Sequence, residues 1–343
     1  MKQFLFFFFL ALQLAAKPIE TFYGVIEVDE PVLLELIESA PVQRLKKVRQ
    51  YGIAYYTSFK EEYTRYDHSL GVFAILRLKN RPLKEQIAGL LHDASHTAFS
   101  HVGDYLFKMA FEKDSFQDSI HEEYLKKCGL GKILEKHGFT IQDVLPKKGN
   151  FPALEKELPD LCADRIDYNL QGAFYRGMLS KAETKEVFDG LKFQERESEW
   201  IAEESDALKK MARFALFMTV HCWGSPQNYV ESESLSKALL RAVDIKLISS
   251  EEIFYGTDDD LWKKLTGSED PELRQWIQKT LHANQYFSLS QDAGSRIRLK
   301  FRGVDPKLRS GKRLTTADPV YAGEYLRTRQ LMADGWPLKE MNK

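Results

Sequence analysis

Apolar residues recur at helical spacing in one segment after another of this 343-residue chain, and that periodicity leaves little room for any fold but a helical one. Residues 31–49 carry Leu33, Leu34, Leu36, Ile37 and Leu45 in this pattern, and 69–78, 83–91, 99–111, 119–128 and 158–175 continue it. Helices resume at 205–220, 229–245, 258–266 and 271–282, with a last one near 321–332. Strand-like runs are short: 22–28, a hairpin from 191–193 and 200–202, and two strands at 286–289 and 297–301. The stretch 145–152, with Pro146, Gly149 and Pro152, reads as a surface loop. The expected fold class is mainly α: a helical bundle with minor β hairpins and a helical C-terminal region.

Composition narrows the function. Lys and Arg number 49 against 50 Asp and Glu, a net charge of −1, so bulk charge carries no strong nucleic-acid signal. A mean hydropathy of −0.39 excludes a polytopic membrane protein. Cys128, Cys162 and Cys222 are odd in number and lack metal-type spacing, which suits buried thiols. Met1-Lys2-Gln3 leads into an apolar run from Phe4 to Leu12, then small residues up to Ala16 before Lys17-Pro18. This reads as a secretory signal peptide over residues 1–16 and implies export, periplasmic or secreted. The competing reading is a buried first element in a cytoplasmic protein. The run falls short of the roughly 20 residues that span a bilayer, so no stable membrane span is expected once the leader is removed.

Five of the eight histidines (His68, His92, His96, His101 and His121) lie between residues 68 and 121. Imidazole and carboxylate are ligands that suit first-row divalent metals. In Leu91-His92-Asp93-Ala94-Ser95-His96 the two histidines stand at i and i+4, which on a helix is one face. Such a string alone is more often capping and packing. His68 upstream and Asp164 downstream strengthen it, because four ligand-type side chains then come from three separate helices. That arrangement holds a metal rigidly and leaves coordination positions for water and substrate.

The order His68, His92-Asp93, Asp164 resembles the HD-domain phosphohydrolases. Within them it is most similar to the dNTP triphosphohydrolases, the group of bacterial dGTPases and the mammalian enzyme with SAM and HD domains. The similarity is carried by Tyr23-Gly24-Val25-Ile26-Glu27, Gln43-Arg44-Leu45, Gln50-Tyr51-Gly52, 65–71, 88–101, 164–168 with Gly177, Ala212-Arg213-Phe214 and Arg302-Gly303-Val304-Asp305-Pro306. It covers most of 22–310. The resemblance implies an HD domain over 17–190 and a C-terminal region over 191–343 that completes the active site. It also implies that His68, His92, Asp93 and Asp164 bind a divalent ion (Mn, Fe, Zn or Mg). His96 and His101 then act around the scissile phosphate, with Asp104 and His121 as their partners. Gln50, Arg65, Arg165, Tyr168 and Arg213 are the implied substrate contacts.

The chemistry is coherent without the family: phosphate-ester hydrolysis needs a lowered water pKa, a neutralised oxyanion and a proton for the leaving oxygen. On the substrate side the chain departs from the family. A usual Arg-Asp pair, whose Asp meets the sugar 3′-hydroxyl, is replaced by Gln171 and Gly172; a Tyr that gates the sugar corresponds to His221, and a His-Lys pair to Trp223 and Gly224. Losing an acceptor for a hydroxyl lowers discrimination. The expected function is a metal-dependent phosphohydrolase that takes a nucleotide or another phosphorylated small molecule, dNTP hydrolysis to deoxynucleoside and triphosphate being favoured. The alternatives are a phosphomonoesterase or phosphodiesterase on the same site, or a nucleotide-binding sensor without turnover. Whether the chain forms a homo-oligomer stays open.

Overall fold

The computed structural model describes residues 16–110, 115–146, 149–290, 292 and 296–341, so the leader read at 1–16 lies outside the described residues except for Ala16. The strand expected at 22–28 is a hairpin, β1 (Lys17–Thr21) against β2 (Gly24–Val28), which turns at Phe22-Tyr23. Ten helices follow: α1 (Pro31–Glu38), α2 (Ala40–Arg44), α3 (Ala54–Thr57), α4 (Arg65–Leu78), α5 (Leu83–Leu91), α6 (Val102–Leu106), α7 (Phe116–Lys127), α8 (Leu130–Lys136), α9 (Ala163–Tyr175) and α10 (Lys181–Gly190). After them come β3 (Lys192–Gln194), β4 (Glu199–Ala202), α11 (Asp206–Met218), α12 (Pro226–Asp244), α13 (Ser250–Tyr255), α14 (Asp258–Thr266) and α15 (Pro271–Leu281). The last elements are β5 (Phe287–Leu289), β6 (Lys307–Leu308), α16 (Leu314–Ala317), α17 (Pro319–Asp334) and β7 (Leu338–Glu340). The small sheets run β3-β4-β6 and β5-β7. The fold is mainly α, and no described helix is long and apolar enough to cross a membrane.

Local chemistry sets the helix ends that matter. Thr64 and Asp67 form a capping box, Asp67 N donating to Thr64 Oγ1 at 3.2 Å and Thr64 N to Asp67 Oδ2 at 3.0 Å. This starts α4 at Arg65 and leaves His68 in its first turn. α5 stops at Leu91, and 92–101 run as turns, so His92 and His96 do not share the helix face expected of them. The helix expected over 99–111 shrinks to α6 for the same reason. Phe99 and Ser100 take φ values of 60° and 54°, a left-handed conformation that no right-handed helix contains. α9 begins at Ala163 rather than 158, since Pro159 steers its predecessor out of the helical region. Of the strand expected at 297–301, only Ile297 makes a ladder contact, with Trp336.

One apolar core runs from Ile26 to Tyr325 and joins both halves of the chain. A second packs Ile53, Ala98, Phe99 and Val102 against Leu235 and Leu239 of α12 and Ile277 of α15. The turns that follow His92 therefore rest on the C-terminal helices.

Candidate metal centre and its cavity

His68, in the first turn of α4, places its Nδ1 2.7 Å from Asp167 Oδ2. His92, just past α5, places its Nδ1 2.7 Å from Gly89 O. A carbonyl only accepts, so His92 Nδ1 carries the proton and Nε2 keeps a free lone pair; the Asp167 carboxylate orders His68 in the same sense. The two Nε2 atoms stand 3.2 Å apart. Asp164 Oδ1, from the first turn of α9, lies 3.0 Å from His68 Nε2 and 3.7 Å from His92 Nε2. Ligand atoms about 2.0–2.2 Å from one ion, at angles of about 90–120°, stand about 2.8–3.8 Å from each other. The trio fits a divalent ion on spacing and on donor chemistry, because two facing lone pairs beside a carboxylate need positive charge between them. The same demand shows in His68. Burial opposes its charged form, yet Asp164, Asp167 and Asp93 outweigh that and raise its pKa to about 10.

Asp93, the fourth expected ligand, stands at the edge of this trio. Its Oδ2 accepts from Arg65 Nη1 at 2.6 Å and lies 3.6 Å from His68 Nε2, while Oδ1 is 3.5 Å from His92 Nε2. Burial works against its charge, but His92 and Arg65 hold the carboxyl well below its usual range. His96 Nε2 sits 3.3 Å from Asp93 Oδ1, and burial, then Arg65, push its pKa down to about 3, so the ring is neutral. His101 Nδ1 meets Asp104 Oδ2 at 2.9 Å, and Asp104 Oδ1 accepts from Phe116 N at 2.7 Å. The His96 and His101 rings lie 5.0 Å apart.

His92, Asp93, His96, His101, Asp104 and Asp164 border a cavity of about 300 Å³ that also exposes Gln50, Arg65, Arg165 and Tyr168. In its wall Gln50 Oε1, Tyr51 Oη and His96 Nδ1 are buried without a hydrogen-bond partner among the described residues. Residues 219–223 leave α11 as a π-turn that brings Cys222 and Trp223 to the wall, Trp223 meeting Tyr168 edge-on at 5.2 Å.

Two expected residues are placed elsewhere, and so is His221, the departure from the family's gating Tyr. His121 lies behind the wall on α7 and bonds Ser95 Oγ through Nδ1 at 2.7 Å, because α7 packs on the back of the 92–96 turns. Arg213 faces α17 on the outside of α11, where Nε donates to Glu324 Oε2 at 2.7 Å, and it does not line the cavity. His221 is exposed and packs on Phe217, so it does not stand at the mouth as a gate. The departure at Gly172 has a steric cause: a Cβ there would come within 2.7 Å of Phe214 and 2.8 Å of Tyr51 Oη.

Sequence reasoning gave no role to several groups that build the site. Asp167 accepts from Tyr23 Oη at 2.9 Å, Tyr63 Oη at 3.0 Å and Gln171 Nε2 at 2.9 Å besides ordering His68. It can approach α4 only because residue 71 is glycine, where a Cβ would fall 1.9 Å from Asp167 Oδ1. Its i+3 spacing from Asp164 on α9 was the available signal. Arg44 clamps the turns by donating to Ala94 O at 3.1 Å and His96 O at 2.6 Å. Glu155, Lys300 and Arg302 reach the cavity from loops.

The comparisons with known proteins agree with this geometry. The HD-domain family model matches residues 65–168. An uncharacterised protein of Bacillus subtilis, YdhJ, is 31% identical over 83% of this chain and 86% of its own. The metal-dependent phosphohydrolase cns2 of Cordyceps militaris is 31% identical over 75% of each chain. The deoxynucleoside triphosphate triphosphohydrolase SAMHD1 of Xenopus laevis is 28% identical over 35% of this chain and 23% of its own. Among solved structures, a hypothetical protein from Aquifex aeolicus superposes with a TM-score of 0.63 over 90% of this chain and 93% of that one; at 20% identity it shares the fold.

Proposed function

This chain belongs to the HD-domain family of metal-dependent phosphohydrolases, and we propose that its substrate is a deoxynucleoside triphosphate, split by water into deoxynucleoside and triphosphate. The observation that carries the proposal is one cavity lined by His92 and Asp164 of the metal trio, by the His101–Asp104 pair and by the residues of three unpartnered polar atoms, with His68 directly behind it. His68, His92 and Asp164 would hold the divalent ion, with Asp93 beside the trio, and an ion bound there would supply an acidic water and charge neutralisation at the phosphorus. His101, held by Asp104, gives a proton to the leaving 5′-oxygen as the α-phosphorus bond to it breaks. Neutral His96, whose Nε2 faces the Asp93 carboxylate, offers its unpartnered Nδ1 as an acceptor to a water or hydroxyl in the cavity. Arg65 fixes Asp93, Arg165 and Tyr168 contact the phosphates, and Gln50 and Tyr51 meet the sugar hydroxyls. The SAMHD1 likeness supports the choice of a dNTP.

A second reading is a phosphomonoesterase or phosphodiesterase on another nucleotide. It is favoured by Gln171, which is turned away from the cavity and bound to Asp167, and by Gly172, which offers no acceptor. A panel of dNTPs, NTPs, monophosphates and cyclic nucleotides, assayed with manganese and with products resolved, separates the two. Intact triphosphate supports the dNTP reading; orthophosphate alone overturns it in favour of the second. We further propose that the run at 1–16 acts as a leader that directs export, which N-terminal sequencing of the mature protein tests, an intact Met1 refuting it.

A further inference from the structure

Arg296, Arg298, Lys300 and Arg302 alternate with Ile297, Leu299 and Phe301 in the stretch ahead of β6. The first two are consumed locally. Arg296 donates to Asp334 O at 2.9 Å and Gly335 O at 2.8 Å, and Arg298 to Ala333 O at 3.0 Å, so they cap the C-terminal carbonyls of α17. The last two pass into the cavity, where Arg165 of α9 also lies. Arg165 spends one nitrogen on Asp160 O at 2.9 Å. Among the described residues none of Arg165, Lys300 and Arg302 has a carboxylate within ion-pair distance, whereas Arg65 in the same wall is bound to Asp93. The three are close enough to repel. Burial in the concavity, then the Arg302 charge, pulls the Lys300 ammonium below its ordinary value, with Arg165 adding and Asp118 and Asp104 opposing. Lys300 is nonetheless an exposed residue, so an entering anion can meet it.

Like charges gathered in a concave wall without a carboxylate in ion-pair contact are stabilised when an anion bridges them. We infer that Lys300 and Arg302 join Arg165 in a second anion site of this cavity, which binds phosphoryl groups other than the one at the metal trio. The inference rests on the phosphohydrolase reading and deepens it: the preferred ligand carries a chain of phosphoryl groups rather than one. Guanidinium and ammonium both suit this role, the first through paired donors and the second as a point charge.

The test is calorimetric titration of inorganic tripolyphosphate and of orthophosphate into the manganese-loaded protein, with manganese in excess so that chelation does not register. Wild type is expected to bind tripolyphosphate at least 100-fold more tightly than orthophosphate. Neutralising one charged hydrogen-bonding partner weakens binding by about tenfold or more. Lys300→Gln with Arg302→Gln should therefore weaken tripolyphosphate by about 100-fold and leave orthophosphate unchanged, with the melting temperature intact. Arg298→Gln, which removes a cation outside the cavity, should change neither, and Lys300→Arg should restore most of the loss. Equal wild-type affinities, or a double variant that binds tripolyphosphate like wild type, overturn the inference. Should the cluster bind tripolyphosphate as expected while no nucleotide is hydrolysed, the substrate reading fails and the anion site stands. Should dNTPs be hydrolysed with the same KM by the double variant, the anion site fails and the substrate reading stands.

Discussion

Replacing Asp167 by asparagine changes one atom and should weaken metal binding at the centre. Asp167 Oδ1 takes the Tyr23 hydroxyl and Gln171, and Oδ2 takes the Tyr63 hydroxyl and His68 Nδ1. Burial, then the Asp167 charge, pushes both phenols well above their ordinary pKa, so both remain donors. An amide offers one accepting oxygen. With its NH₂ toward His68, the Nδ1 atom must accept, the proton moves to Nε2, and the lone pair facing Asp164 and His92 is lost. With its NH₂ toward Tyr23 and Gln171, two buried donors confront a third. Groups that orient metal-binding histidines typically contribute 10–100-fold to affinity, about 1.4–2.7 kcal/mol. A buried donor left without an acceptor costs about 1–3 kcal/mol, and about 1–2 °C of melting temperature accompanies each kcal/mol in a chain of this size. Manganese titration of metal-free Asp167→Asn should show at least a tenfold weaker Kd, and nitrogen NMR of His68 should report protonated Nε2. A folded variant with wild-type Kd and the Nδ1-protonated ring would refute the reasoning.

Four further outcomes are expected. His92→Ala should purify folded but without the metal that mass spectrometry finds in wild type. His101→Gln should lower kcat by about 100-fold or more with KM little changed, the signature of a lost proton donor. Asp258 accepts Phe99 N at 2.7 Å through one oxygen and Arg49 N at 2.9 Å through the other; Asp258→Asn should lower stability by about 1–3 kcal/mol in urea unfolding. Glu231 is buried, and burial raises its carboxyl from an ordinary 4.5 to about 7. The folded state therefore holds this proton more tightly, and the resulting stability is present below about 4.5 and lost as pH rises through about 7. Glu231→Gln should flatten the melting-temperature profile across that window, and an unchanged profile would contradict the shift.

The metal side of the site was legible because its residues are chemically distinctive and their spacing fixes which helices carry them. His68, His92 and Asp164 converge as the motif implied. Misreadings arose where a tertiary contact overrides a local pattern. Residues 92–101 look helical by composition, yet Asp258 and Arg44 hold them as turns from 159 and 52 residues away. Arg213 looks like a site residue by its place in the motif, and the rotation of α11 turns it outward onto Glu324. Asp258 opens an acidic first turn, Asp258-Asp259-Asp260, that by itself signals only a helix N-terminus. Lys300 and Arg302 sit in a stretch without regular structure, where side-chain direction is not readable from periodicity.

The Asp258 contact has a consequence for biosynthesis. All the ligands lie before residue 165, and a ribosome adding roughly 5–20 residues per second makes the next hundred residues over several seconds. During that interval the left-handed pair Phe99-Ser100 lacks the carboxylate that accepts Phe99 N, so the turns that lead from His96 to His101 take their final form only once the chain has been made past residue 258.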